Sequence, residues 1–257
     1  STTSVMKNLL PAEEKQYYDW QFGKIFYTKK GTGAPLLLIH DLQCSSSSYE
    51  WRHLIDTLSK DYTVYALDLL GCGRSDKPKI TYTNFLYVQL ITNFIKNVIG
   101  CPTDVIATGM SGSFVITACN TVPECFKKIM LINPEDLSRL NQIPNKKSKF
   151  VKCLIELPLI GTLLYHTVTA HSNIELLFTE KLLYNPFHEN QQDIDTYYEG
   201  AHRGNGNGKY LLSSLVGNYV NLNLTHALKN VNNSIYILGG AAEDGIQETL
   251  ALYTSLN

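Results

Sequence analysis

The chain has 257 residues, of which 44% are hydrophobic and 18% charged, and its formal net charge is -1. That length can bury a substantial core, as one large α/β domain or as two smaller ones. The composition lacks the basic excess that a phosphate backbone requires, so nucleic acid is not an expected partner.

After a polar lead-in at Ala12–Tyr17, Lys24–Tyr27 and the following Lys29-Lys30-Gly31-Thr32-Gly33 read as a strand ending in a glycine turn. Pro35–His40 is a short continuous apolar run closed by a turn signal, the pattern of a strand covered on both faces of a parallel sheet. Thr63–Leu67, Asp104–Thr108, Lys128–Ile132 and Ser234–Leu238 repeat it. Helical spacing separates them at Tyr49–Leu58, Leu86–Val98 and Gly112–Asn120, and closes the chain at Gln247–Leu256. Strands alternating with helices predict right-handed crossovers and a mostly parallel, doubly wound sheet with helices on both faces.

The alternation stops at about Glu135 and resumes near Thr225. Between them lie only the helical patterns Phe150–Thr167, Ile174–Leu183 and Tyr210–Val220, together with the glycine and asparagine tract 204–208. This predicts a core in two parts, residues 1–134 and 226–257, interrupted by a helical cap at 135–225. Aliphatic and aromatic cap residues Leu154, Leu157, Leu163, Tyr165, Leu177 and Phe178 either line a pocket or form plain cap core.

Six dispersed cysteines with no Cys-x-x-Cys pair read as free thiols. The apolar run nearest to a membrane span, Leu154–Tyr165, is short and contains Glu156, Pro158 and Gly161. The chain opens on Ser1 rather than Met, which leaves room for an upstream signal or anchor and leaves location open between cytoplasmic and membrane-anchored. No His/Asp/Glu group shows metal-ligand spacing, and no cofactor is expected.

The segment richest in chemistry is Gly109-Met110-Ser111-Gly112-Ser113, where a buried strand passes straight into a helix. A serine at such a corner is pushed outward when small residues two places away let the backbone fold tightly. The helix N-terminus would lend amides and a positive dipole end to an oxyanion there. A serine that merely caps the helix of an ordinary strand-to-helix loop fits the same pattern. Full Gly-x-Gly-x-x-Gly spacing for a dinucleotide is absent.

Two further segments bear on that choice. His40-Asp41-Leu42-Gln43 resembles the His-Gly oxyanion loop of α/β-hydrolases, and Asp68-Leu69-Leu70-Gly71-Cys72-Gly73-Arg74-Ser75 resembles their D-x-x-G-x-G-x-S turn. The order and spacing agree across residues 24 to 133. The chain is similar to capped, esterase-like serine hydrolases of bacteria, some of which carry an N-terminal membrane anchor. The resemblance implies Ser111 as nucleophile, with the backbone amides of Leu42 and Gly112 forming the oxyanion hole and His40, Asp41 and Met110 around the pocket. Asp41 stands where glycine is usual and brings a negative charge beside that hole. His40 is expected to be structural, bonded to loop backbone.

The acid of a triad is implied after Ser234–Leu238, at Asp244 or at Glu243, with Glu135 and Asp136 as an alternative position that could equally cap a helix. The base is implied in a loop after one further strand, beyond Asn257, so the C-terminal strand and helix of the fold are expected outside this sequence. The resemblance therefore implies either hydrolysis of an ester or related acyl bond of a small apolar substrate, or a catalytically inactive binding protein that uses the capped cavity.

Overall fold

The computed structural model describes residues 14–170, 173–174, 191–204, 206–240 and 245–257. Strands β1 (Glu14–Trp20), β2 (Gly23–Lys30), β3 (Ala34–Ile39), β4 (Tyr62–Leu67), β5 (Thr103–Thr108), β6 (Phe126–Ile132) and β7 (Ile235–Leu238) form one sheet in the order β1-β2-β4-β3-β5-β6-β7. β3 pairs in parallel with β4 and β5, β5 with β6, and β6 with β7. β2 runs antiparallel to both β1 and β4.

β1 is the strand that the sequence reading took for a polar lead-in. Its polar residues Glu14, Lys15, Gln16 and Asp19 are mixed with Tyr17, Tyr18 and Trp20, as suits an edge strand. Tyr17 packs edge-on to Phe26 and Tyr18 edge-on to Phe94, with ring centroids 5.4 and 6.1 Å apart. The expected strands are otherwise present, and β3 supplies the most deeply buried of them, with Leu37, Leu38 and Ile39 wholly covered.

The region expected as one helix over Tyr49–Leu58 is a 3-10 turn at Ser48–Trp51 followed by the single turn α1 (Ile55–Leu58). Helix α2 (Asn84–Phe94) is capped by the Thr83 hydroxyl and unwinds into a π turn that ends at left-handed Gly100. Helix α3 (Ser111–Thr121) follows β5. Between β6 and β7 come α4 (Leu137–Leu140), α5 (Lys146–Glu156), α6 (Ile160–Val168), α7 (Gln191–His202), α8 (Lys209–Val216) and α9 (Thr225–Asn230), and α10 (Ile246–Leu256) closes the chain. The run expected as one helix over Phe150–Thr167 is thus two helices. Pro158 sits at the break, where it cannot continue the backbone hydrogen bonding. Most of the helix expected at Ile174–Leu183 lies outside the described residues.

These helices rest on the loops at the C-terminal ends of the strands. Tyr49 Oη donates to Asp193 Oδ1 at 2.7 Å, and Arg52 pairs with the same carboxylate at 3.0 Å. Lys77 donates to the carbonyl of Gly200, and Tyr82 N to Ser214 Oγ at 2.9 Å. The loop after β4 is held from within by Asp68, whose two carboxylate oxygens accept the amides of Ser48 and Arg74. Gly73 has φ of 51°, and a Cβ there would lie 2.2 Å from Asp68 Oδ2, so the glycine of this turn is required both by conformation and by space.

Candidate functional site

The register of β3 with β5 sets Ile39 beside Ala107, so the two chains leave the sheet side by side. One becomes the loop His40-Asp41-Leu42, the other the corner Gly109-Met110 that leads into α3. The sharp residue of that corner is Gly109, with φ of 55°. A left-handed conformation of this kind is costly for any residue with a Cβ. Met110 is already in the right-handed helical region, and Ser111 is the first residue of α3.

Two backbone amides converge beside Gly109. Leu42 N lies 2.8 Å and Met110 N 3.0 Å from one acceptor, Oδ1 of Asp41. Gln43 Nε2 reaches the second oxygen, Oδ2, at 3.4 Å. A Cβ on Gly109 would come within 2.3 Å of Asp41 Oδ1 and 2.4 Å of its Cγ, so this carboxylate fills the space into which a side chain at the corner would project. The amide of Asp41 itself donates to Glu50 Oε2 at 3.0 Å.

Burial is the main influence on both carboxyls. It pushes Asp41 up to about 6, against the stabilising amide of Met110, and the negative Glu135 adds to the rise. Glu50 is pushed up to about 7, again chiefly by burial and then by the charge of Asp41.

The structure corrects several expectations for this site. Ser111 does not present its hydroxyl outward: the residue is 0% exposed, and Oγ donates to the His40 carbonyl at 2.5 Å, tying α3 to the end of β3. Gly112 does not offer its amide to the hole, because that N–H turns back to the Gly109 carbonyl at 3.3 Å. The second converging amide is that of Met110, whose predicted role was only to wall the pocket. Leu42 does supply an amide. Asp41 accepts the two converging amides itself rather than flanking them.

His40 has a structural setting. Its Nε2 accepts the amide of Leu69 at 3.0 Å and its Nδ1 lies 2.6 Å from the Asp41 carbonyl, which together define a neutral ring protonated on Nδ1. Burial holds its pKa below the usual histidine value, although Asp68 opposes this. Asp136 caps α4 by accepting Ser138 N at 2.7 Å, and Glu135 pairs with Arg139 at 3.6 Å. The positions of Glu243 and Asp244 lie outside the described residues.

The sequence offered one signal for the true corner. Ala107-Thr108-Gly109-Met110-Ser111 also carries small residues two places either side of its centre, and its centre is the residue type that tolerates positive φ.

Residues 34–154 match the family model described as alpha/beta hydrolase fold. A putative alpha/beta hydrolase from Nostoc sp PCC 7120 superposes with a TM-score of 0.74 over 95% of this chain and 87% of its own, at 18% identity. The chain has the α/β-hydrolase fold.

Among curated relatives, 2-hydroxy-6-oxo-6-(2'-aminophenyl)hexa-2,4-dienoic acid hydrolase of Metapseudomonas resinovorans is 38% identical over 71 residues, 27% of this chain and 24% of that protein. Soluble epoxide hydrolase of Corynebacterium sp. (strain C12) is 44% identical over 55 residues, 21% and 18% of the two chains. The matched stretches thus span a quarter or less of these relatives' lengths, and the relatives are hydrolases. In α/β-hydrolases the hole is made by the amide of the residue after the nucleophile and an amide from the loop that follows the neighbouring strand. Here the two amides that converge are those of Met110 and Leu42, and the residue before Met110 is the sharply turned Gly109.

A cavity of about 620 Å³ opens elsewhere, between the loop after β4 and the α7–α8 connection. Its lining includes Lys24, Arg74, Lys77 and Arg203 against the single acid Asp76, with Tyr17, Phe22 and Pro78 as apolar walls. Burial holds the Arg74 guanidinium below its usual value, Asp68 and Glu199 oppose this, and Arg203 adds to it. Leu157 and Leu163, expected either to line a pocket or to form cap core, are exposed instead, and Tyr165 is fully buried with its hydroxyl on the Ala201 carbonyl. Among the described residues no group of three or more His, Cys, Asp or Glu is arranged to hold a metal ion.

The Asp41 carboxylate and the bare corner are complementary, so their substitutions should couple. Gly109→Ser alone is expected to cost on the order of 3 kcal/mol and Asp41→Gly on the order of 2 kcal/mol, the first through overlap and left-handed strain, the second through two lost charge-assisted hydrogen bonds. The double variant should fall short of the sum by more than about 1 kcal/mol in urea denaturation, because removing the carboxylate makes room for the serine. Strict additivity would show that the two positions do not share the space.

Both raised carboxyls contribute stability while protonated, and they lose it as pH rises through their folded values. Relative to an Asp41→Asn, Glu50→Gln double variant, the unfolding free energy of the native chain should decline on the order of 3 kcal/mol between about pH 4 and pH 7. Chemical denaturation at stepped pH measures this, and an increase over the same range would contradict the burial of these groups.

Proposed function

We propose that this chain is a non-catalytic α/β-hydrolase-fold binding protein whose oxyanion hole is permanently occupied by its own Asp41. One observation carries the reading: a single carboxylate oxygen accepts the amides of Leu42 and Met110 at 2.8 and 3.0 Å, with Gly109 behind it. Those are the distances at which such donors serve the charge that develops on a reacting carbonyl. An acyl substrate would have to displace a bound anion, and no nucleophilic side chain projects from the corner to attack it.

Binding, in this reading, falls to the cavity between the loop after β4 and the helices over residues 135–225, which act as a cap. Four cations against one acid favour a negatively charged group, and Tyr17, Phe22 and Pro78 suit a flat or apolar body attached to it. An organic anion such as an aryl phosphate or aryl carboxylate fits this lining better than the neutral acyl substrate implied by family resemblance.

The rival reading is ester-type hydrolysis with Ser111 as nucleophile and Asp244 or Glu243 as acid. That the matched relatives are hydrolases favours hydrolysis in general. Against it stands the hydroxyl of Ser111, covered and committed to the His40 carbonyl.

A fluorophosphonate probe applied to the protein expressed from its complete reading frame should leave it unlabelled. Labelling that disappears in Ser111→Ala would establish the hydrolase instead. In calorimetry, phenyl phosphate should bind and phenol should not. Arg203→Glu should weaken phenyl phosphate by at least about tenfold, the loss expected for a charge-assisted contact turned repulsive. Equal binding of the phenol would place the ligand preference outside the cationic lining.

A further inference from the structure

Helices α5 and α6 reverse the usual pattern of a surface helix. On α6 the covered residues are Gly161 and Tyr165, while Ile160, Leu163, Leu164 and Val168 face outward. On α5 only Ile155 is buried, and Phe150 faces solvent. Ile143 is 74% exposed, Phe150 64%, Leu159 85% and Leu163 70%, so outward apolar side chains recur over about two dozen residues. Patches of this kind on a soluble surface mark an interaction.

The corner between the helices is rigid. The pair is bent by 96°. A Cβ on Gly161 would meet the Ile155 carbonyl oxygen, so the bend depends on glycine. Lys209 Nζ donates at 3.2 Å to both the Leu157 carbonyl and Thr162 Oγ1, fixing the end of α5 to the start of α6. The apolar tip at Leu157–Ile160 is therefore held out by a structure that resists its collapse.

Charge identifies the occupant. Residues 141–168 contain Lys146, Lys147, Lys149 and Lys152 but only one acid, Glu156. Glu156 is already engaged, at 2.6 Å from Lys152 and 2.8 Å from Ser213 Oγ. Lys146, Lys147 and Lys149 are exposed and form no ion pair among the described residues. Neither helix alone is long and apolar enough to cross a bilayer, and a right-angled pair cannot do so as one rod.

We propose that the α5–α6 corner docks on the surface of an anionic phospholipid bilayer. Leu159, Ile160, Leu163 and Phe150 enter the boundary between headgroups and acyl chains, and the three unpaired lysines lie against anionic headgroups. Apolar insertion joined to neighbouring basic residues is the combination that holds a helix in an anionic interface. A second copy of the chain or another protein would bury the apolar tip equally well, but it would give the three lysines no role without an acidic counterpart.

Flotation with vesicles tests this. The chain should float with phosphatidylcholine vesicles containing phosphatidylserine and much less with phosphatidylcholine alone. Reversing Lys147 and Lys149 to Glu should weaken binding by at least about fivefold for each lysine lost. Leu159→Glu with Leu163→Glu should abolish it while leaving the circular dichroism and the melting temperature unchanged, since both side chains are exposed. No flotation with serine-containing vesicles, or flotation indifferent to these substitutions, would overturn the proposal. A concentration-dependent dimer in sedimentation that the double leucine variant abolishes, without lipid binding, would reassign the face to a second copy.

Discussion

Two amides that point at one place require an acceptor there, and in this chain a side chain supplies it. The parallel pairing of β3 and β5 sets the loop after β3 against the corner after β5, and it leaves the N–H groups of Leu42 and Met110 unspent by secondary structure. A buried donor left unpaired costs about 1–3 kcal/mol. Asp41 satisfies two of them with one oxygen, at the expense of holding a carboxylate where burial raises its pKa. The arrangement is feasible only because Gly109 has no side chain to contest the space.

Neighbouring residues follow from that choice. With the corner at Gly109, residue 111 falls inside the first turn of α3, where a hydroxyl has nowhere to go but the carbonyl at the end of β3. Gly112 serves packing, since a Cβ there would press on Leu131 at 3.0 Å. His40 is likewise absorbed into the loop by the Leu69 amide and the Asp41 carbonyl. Residues that resemble catalytic machinery in sequence are here the fasteners of a junction between two strands.

Much of the fold was legible because continuous apolar runs bounded by turns have few alternatives to a buried parallel strand. β1 escaped that logic, since an edge strand needs only one apolar face and its aromatics were interleaved with Glu, Gln and Asp. The site was half legible. The loop motifs located it, and Asp41 was visible as a charge beside the hole. The two-residue shift from Ser111 to Gly109 was not, because Ala107, Gly109, Ser111 and Ser113 are all small. Spacing of small residues admits either centre, and only backbone conformation selects between them. Pro158 stood in a run expected as one helix, and neither the break there nor its direction was read, because the 96° bend depends on contacts made by Gly161 and Lys209 across the turn.

The occupied hole and the apolar corner bear on each other through what the fold retains. A hydrolase must keep its hole empty and its nucleophile strained, and both features cost stability. Here neither cost is borne at the corner: glycine relaxes the strain, and Asp41 fills the void. What the chain still carries without local compensation is the outward apolar surface of α5 and α6, which is unfavourable in water and has no role in the packing beneath it. Uncompensated apolar exposure on a braced corner is the arrangement expected where that surface itself makes a contact.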